Sequence, residues 1–250
     1  MAAYTHPSFQ EPEGSTKIWR YLTTAKFINM IQTRTLWFSR SDLLGDPFEG
    51  SVTLPMYRGP LTPEDDKNQR LIMRNSIYIN CWHMNERESA AMWGLYAPHT
   101  DSIAIVTQYR MLRDLLPNFV FSGMVKYIDY DKDKIGGNVL DVFLHKRFSF
   151  AHEMELRAVL WDGLDFREKM SKAYGGNLSS DAPPQEALTT RSYVNSVGAA
   201  VPVDISNLVE KLYISPTSPD WYKEAIEQLC KTYGLKWGVE KSSLSARALF

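Results

Sequence analysis

Residues 150 to 161 read Phe-Ala-His-Glu-Met-Glu-Leu-Arg-Ala-Val-Leu-Trp, which places Glu153, Glu155 and Arg157 at every second position with Met154, Leu156, Ala158 and Leu160 in and after the gaps. In an extended chain alternate side chains share a face and lie about 6.6 Å apart along it. Two carboxylates at that spacing can divide a reaction between them: one orients a sugar hydroxyl while the other handles a proton, because unequal surroundings split their pKa values. The same alternation describes a solvated sheet face on which Arg157 pairs with a glutamate. Both readings stand at this level.

Other residues could join such a site. Arg20 and Tyr21 fall in a short apolar and aromatic run, Lys17 to Leu22, and arginine is the side chain that grips a phosphate with two parallel hydrogen bonds. Its bland alternative is a surface ion pair. Ser39 ends the run Thr-Leu-Trp-Phe-Ser and can offer a hydroxyl or cap the turn that follows. Asp46 and Glu49 sit in Ser-Asp-Leu-Leu-Gly-Asp-Pro-Phe-Glu-Gly, where they could orient a ligand or a metal, or accept backbone N–H bonds of a Gly/Pro turn. Cys81 and His83 lie two apart at a strand end, where a buried structural cysteine competes with a nucleophile and base. His83, His99, His145 and His152 show no zinc spacing, and no metal is expected. A P-loop, Gly-x-Gly-x-x-Gly, Gly-x-Ser-x-Gly or His-Glu-x-x-His pattern is absent, which argues against the enzyme classes those motifs serve.

The elements that must position these side chains read as short strands interleaved with helices. Strands are expected at 17–22, 35–39, 76–82, 101–107, 119–130, 209–216 and around 236–242. Thr23 is placed to cap a helix with Phe27, Met30 and Ile31 on its buried stripe. Asn85 and Glu88 resemble a capping box for a helix through Met92 and Tyr96 that is apolar nearly all round and therefore expected to be central. A helix is expected around 138–150, and another at 220–234 with Trp221, Ala225 and Leu229 inward and Tyr222 as a further candidate. Residues 170–200, rich in Gly, Ser, Pro and Asn, read as a long flexible loop. Strands this short and partly polar indicate an α+β fold and not a doubly wound parallel sheet. The expected organisation is an N-terminal tail at 1–16 and a single α+β domain over 17–250.

Composition bounds the partners. The 250 residues carry a net charge of −1 and 44% hydrophobic side chains, so a core needs no staples and no general attraction to nucleic acid arises. The two cysteines, Cys81 and Cys230, suit free thiols in a reducing cytoplasm, and no apolar run is long enough for a bilayer.

Taken together, Trp-Arg-Tyr-Leu at 19–22, the Asp-Pro-Phe-Glu turn at 46–49, Met-Trp-x-x-Tyr at 92–96, Glu-x-Glu-x-Arg at 153–157 and Val-Glu-Lys-Leu-Tyr-Ile-Ser-Pro at 209–216 resemble a large bacterial family of domain-of-unknown-function proteins. That resemblance implies a shared fold over about residues 17 to 245 and brings no activity. More loosely, a strand, a capped helix, a strand ending in Ser and a late Glu-x-Glu strand are similar to the layout of ADP-ribosyltransferases. This second resemblance implies a mostly antiparallel, strongly bent sheet with flanking helices, NAD as substrate, and a toxin or defence effector as one biological setting. It assigns Arg20, with Tyr21 beside it, to the NAD phosphates or ribose, Ser39, Trp37 and Phe38 to the nicotinamide pocket, Glu155 to the ribose and Glu153 to an acceptor of unknown class. The chain departs from the family's Ser-Thr-Ser and His-Tyr-Glu patterns, and Arg157 beside Glu155 could neutralise it. Two other readings stay open: a non-catalytic module that binds a protein or nucleotide, and a metal-dependent hydrolase or nuclease built on Asp46, Glu49, Glu153 and Glu155.

Overall fold

The computed structural model of the chain describes residues 6–57, 63–136, 138–175 and 185–246. The strands in order are β1 (Lys17–Thr23), β2 (Thr35–Arg40), β3 (Ile77–Met84), β4 (Ser102–Gln108), β5 (Val120–Met124), β6 (Lys126–Ile128), β7 (His145–Arg147), β8 (Glu155–Trp161), β9 (Gly198–Pro202), β10 (Lys211–Ile214) and β11 (Gly238–Lys241). Between them run α1 (Thr24–Thr33), α2 (Pro63–Arg74), α3 (Ala90–Tyr96), α4 (Tyr109–Leu115), α5 (Gly163–Tyr174), α6 (Gln185–Ser192), α7 (Ile205–Leu208) and α8 (Asp220–Thr232). The arrangement is α+β, with a mostly antiparallel sheet and flanking helices, as the interleaved pattern indicated.

The sheet forks at β3. One edge of β3 pairs with β8 from Ile77 to His83. Its other edge pairs with β2 at Tyr78 and Ile79 and with β1 at His83 and Met84, leaving Asn80 to Trp82 between the two pairings. From the fork one arm continues through β1, β4, β10 and β11 and the other through β2 and β9. Helix α1 links the arms because it follows β1 directly and precedes β2 directly. Thr23 caps it by accepting from the Lys26 N–H at 3.4 Å, and Phe27, Met30 and Ile31 bury its inner stripe.

Strand alternation divides the apolar residues. Ile18 and Leu22 of β1, Tyr78 and Trp82 of β3 and Leu156, Ala158 and Leu160 of β8 enter the main core beneath α1, α4, α7 and α8. Trp19 and Tyr21 face the opposite way and pack with Met92 and Trp93 of α3. Ile77 and Ile79 meet Val159, Phe143 and Phe9 in a third cluster. The stretch expected as a tail contributes to it: Phe9 is buried, and the Ser8 hydroxyl donates to Asp141 at 2.5 Å.

Several expectations are corrected. Within the stretch expected as a loop, α5 runs on to Tyr174, residues 185–192 form α6 and β9 starts at Gly198, while 176–184 lie outside the described residues. Ala199 and Val201 of β9 are buried, so tertiary packing overrides a locally weak pattern. The segment expected as a helix around 138–150 is two 3-10 turns, Asp141–Leu144 and Phe148–Glu153, flanking β7. Helix α3 is not central: Leu95 and Tyr96 are exposed, and its cap is Ser89, whose hydroxyl accepts from Met92. Glu88 instead binds Ser242 and Ser243 of the C-terminal segment. On α8 the buried stripe is Tyr222, Ile226 and Cys230, one position on from the expected one, and Trp221 is 66% exposed. Among the described residues, no helix is long and apolar enough to cross a membrane.

Candidate functional site

The fork opens a cavity of about 590 Å³ lined from β1, α1, β2, β3, α3 and the Glu153 to Glu155 segment. Arg20, Tyr21, Trp37, Ser39, Glu153 and Glu155 all line it, with Lys26 of α1, Trp82 and His83 of β3 and Tyr96 of α3. Side chains far apart in the chain therefore share one space, because β3 carries β1 and β2 on one edge and β8 on the other. Phe38 does not join them. Strand alternation turns it into the main core, fully buried, opposite to Trp37 and Ser39.

Arg20 is fixed by one N–H group that donates to the Trp37 carbonyl at 3.0 Å, and its guanidinium lies 5.9 Å from the Trp82 ring centroid. Asn80 donates to the same carbonyl at 2.7 Å, so two side chains bridge the strand edges that separate at the fork. Burial draws the Arg20 guanidinium down to about 10, which leaves it cationic at neutral pH. Tyr21 also ties α3 to β1, since its hydroxyl accepts from the Ser89 N–H at 2.8 Å and its ring meets Trp93 edge-on at 5.0 Å. Trp37 is held from behind by Gly198, where a Cβ would come within 2.2 Å of the indole and 2.6 Å of the Phe38 carbonyl. Gly198→Ala is therefore expected to push Trp37 into the cavity and to cost about 1–3 kcal/mol. Thermal unfolding and nucleotide titration of the variant check this, and unchanged values in both would contradict it.

The carboxylate wall departs from regular alternation. Strand β8 begins only at Glu155, Glu153 ends a 3-10 turn, and Met154 between them is left-handed at φ 40°. That reversal turns both carboxylates toward one ammonium, Lys146 of β7, which binds Glu153 in a short ion pair and Glu155 at 3.3 Å. Tyr96 donates to the other Glu153 oxygen at 2.7 Å. Arg157 reaches Glu155 at 3.0 Å and also holds Glu49 through two bonds at 2.6 and 2.9 Å. Arg157 is thus a shared cation, engaging two acids.

Burial would raise the Glu155 carboxyl, but the charges of Arg157 and Lys146 draw it from its ordinary 4.5 down to about 2. Burial would likewise lower the Arg157 guanidinium, yet Glu155 and Glu49 hold it well above its ordinary value. Glu49 is raised, because burial outweighs the opposing charge of Arg157, but the two-bond pair with that guanidinium is the geometry of a carboxylate. With Glu49, Glu153 and Glu155 as carboxylates against Lys146 and Arg157, one surplus negative charge stands beside the cavity. His83 stays neutral, since burial lowers it; its Nδ1–H donates to the Glu153 carbonyl at 2.6 Å. Burial, then the neighbouring Glu155, raises the Cys81 thiol, so it is not a thiolate nucleophile. Because the folded pKa of Glu155 is depressed, it contributes stability above pH 4.5 that is lost as pH falls toward 2, on the order of 3 kcal/mol. Urea unfolding of Glu155→Gln should consequently lose less stability over that window than the unsubstituted protein; an equal or steeper loss would contradict the assignment.

Asp46 and Glu49, candidate metal ligands with Glu153 and Glu155, are each engaged by an arginine. Asp46 accepts from the Phe48 N–H at 3.0 Å and from Arg147 at 2.9 Å, which makes it the organiser of its own turn. Pro47 and Phe48 of that turn line a different cavity of about 390 Å³. Between Glu153 and Glu155, the position a cation would take is filled by the Lys146 ammonium. Among the described residues no group of three or more His, Cys, Asp or Glu is arranged to hold a metal ion.

Sequence reasoning missed Lys146, Tyr96, Tyr127 and Asn80. Tyr127 of β6 accepts from the Glu155 N–H at 2.8 Å, beside Lys146 on the paired strand β7. The one available signal was the basic run His145 to Arg147 next to aromatic Phe148 and Phe150, since buried glutamates require a cation.

No protein-family model matches the chain, and no curated protein matches it. Likeness to the domain-of-unknown-function family therefore remains one of motifs. Among solved structures, DarT from Thermus sp. 2.9 in complex with carba-NAD+ is similar with a TM-score of 0.38 at 8% identity, over 94% of this chain and 98% of that one. A likeness at that score does not carry a functional assignment.

Proposed function

We propose that the forked cleft binds NAD and that the chain transfers ADP-ribose from it to an acceptor. The observation that carries this reading is the convergence of Arg20 from β1, Ser39 from β2 and Glu155 from β8 on one cavity with separated charges. Arg20 and Lys26 supply a cationic side, and the glutamate cluster supplies a side with one surplus negative charge. A dinucleotide matches that division, since its pyrophosphate is anionic while its nicotinamide ribose becomes cationic during reaction.

Arg20 would bind the pyrophosphate, and Ser39 and Trp37 would contact the nicotinamide by hydroxyl and ring. The bond from ribose C1′ to the nicotinamide nitrogen breaks, and its electron pair leaves with neutral nicotinamide. Positive charge then builds on the ribose, where the fixed and fully ionised Glu155 stabilises it better than water could. A lone pair of the acceptor closes the new bond to C1′, and the proton the acceptor loses passes to Glu153 or to water. Incubation with labelled NAD and candidate acceptors, following both label transfer and free nicotinamide, tests this chemistry. Absence of both would sink the reading.

A further inference from the structure

Lys146 approaches Glu153 and Glu155 from the side away from the cleft: it binds both carboxylates but is not among the residues that line the cavity. It is almost fully buried, its ammonium lies 4.7 Å from the Phe150 ring centroid, and β7 is held in place by parallel pairing with β6. Among the described residues, the charged and polar groups around it come from several elements, Glu49 of the Asp46 turn included. Glu153 comes from the 3-10 turn, Glu155 and Arg157 from β8, Cys81 from β3 and Tyr127 from β6, with Tyr96 of α3 on the far oxygen of Glu153. Met154 between the two glutamates is left-handed, and in that conformation both carboxylates reach one ammonium. Strain at that residue is maintained by the contact it allows.

We infer that Lys146 is a positioning residue of this site: by holding Glu153 and Glu155 on one ammonium from behind, it keeps Glu155 ionised and turns the cluster's surplus negative charge toward the cleft. Its consequence for turnover rests on the proposed NAD chemistry, but its effect on the two carboxylates does not. Lys146→Met removes the charge at nearly constant length and leaves Arg157 alone against three acids. Lys146→Arg keeps the charge on a wider, planar head that cannot occupy the same point.

Two measurements decide the matter. In protein labelled at the glutamate carboxyl carbon, with resonances assigned through Glu155→Gln, Lys146→Met should titrate Glu155 higher than the unsubstituted protein by about one pH unit or more. Lys146→Arg should leave that titration nearly unmoved, yet lower kcat for nicotinamide release about tenfold while KM for NAD changes less than about twofold. A purely structural lysine would move neither the Glu155 titration nor kcat apart from KM. A folded Lys146→Met with unshifted Glu155 overturns the inference, as does a folded Lys146→Arg with full kcat. If Lys146→Met does not fold, Lys146→Gln takes its place in the titration and the Lys146→Arg arm is read as before; if the unsubstituted protein releases no nicotinamide, the NAD reading fails and the carboxyl titration of Lys146→Met or Lys146→Gln still settles the role of Lys146.

Discussion

Glu155→Gln should fold as the parent does and lose nicotinamide release from NAD by about a hundredfold or more in kcat, with KM changed less than about twofold. Retention of the fold follows from the charge balance of the cluster. Removing one of three carboxylates leaves Glu49 and Glu153 facing Arg157 and Lys146, so each buried cation keeps an acid partner. Loss of turnover follows because the charge that disappears is the surplus one, while Glu153, the other carboxylate that lines the cavity, stays paired with Lys146. A ground-state ligand gains little from Glu155, whereas a ribose carrying developing positive charge gains much, so the substitution should act on kcat and spare KM. Release of nicotinamide at the parental rate by a folded Glu155→Gln would refute the role given to this carboxylate.

Arg157→Met should be the most damaging single substitution for stability. It strands Glu49 and Glu155, both buried, with Lys146 as the one remaining cation of the cluster. Breaking a buried pair by removing one partner costs about 3–5 kcal/mol, and for a chain of this size that lowers Tm by about 10 °C. The physical cause is the stranded charge and not the lost contact as such, and this has its own consequence. The double substitution Glu49→Leu with Arg157→Met replaces the pair by apolar groups of similar size and should recover more than half of the loss. Thermal unfolding of the three variants tests the claim. A double variant as unstable as Arg157→Met would show that the stranded Glu49 is not the cause and that the loss lies with Glu155 or with the bond to the Phe143 carbonyl.

The Glu153 to Arg157 alternation could be read as a wet face or as an active pair, and neither describes it fully. Glu155, Arg157 and Glu49 are buried, which the alternation could not show because a buried charged strand face and a solvated one have the same period. Arg157 does pair with Glu155, yet its second acid, Glu49, lies 108 positions away. The cost of burying five charges is met only when all five are brought together. Each looks ordinary in its own local window.

Local patterns were sufficient for what depends on neighbours a few residues apart. The Thr23 cap with the Phe27, Met30 and Ile31 stripe, the strands around 17–22, 35–39 and 76–82, and the α+β class all follow from capping chemistry and periodicity. The types of the cleft residues, Arg20, Ser39, Trp37, Glu153 and Glu155, were legible for the same reason: a guanidinium or carboxylate has its chemistry wherever it stands. Tertiary structure alone decided that they meet, that Phe38 turns away, that β9 packs Gly198 behind Trp37, and that Lys146 joins the two glutamates. Those outcomes depend on the fork at β3, on register between strands far apart in the chain and on one left-handed residue, Met154, and none of these leaves a trace in local spacing.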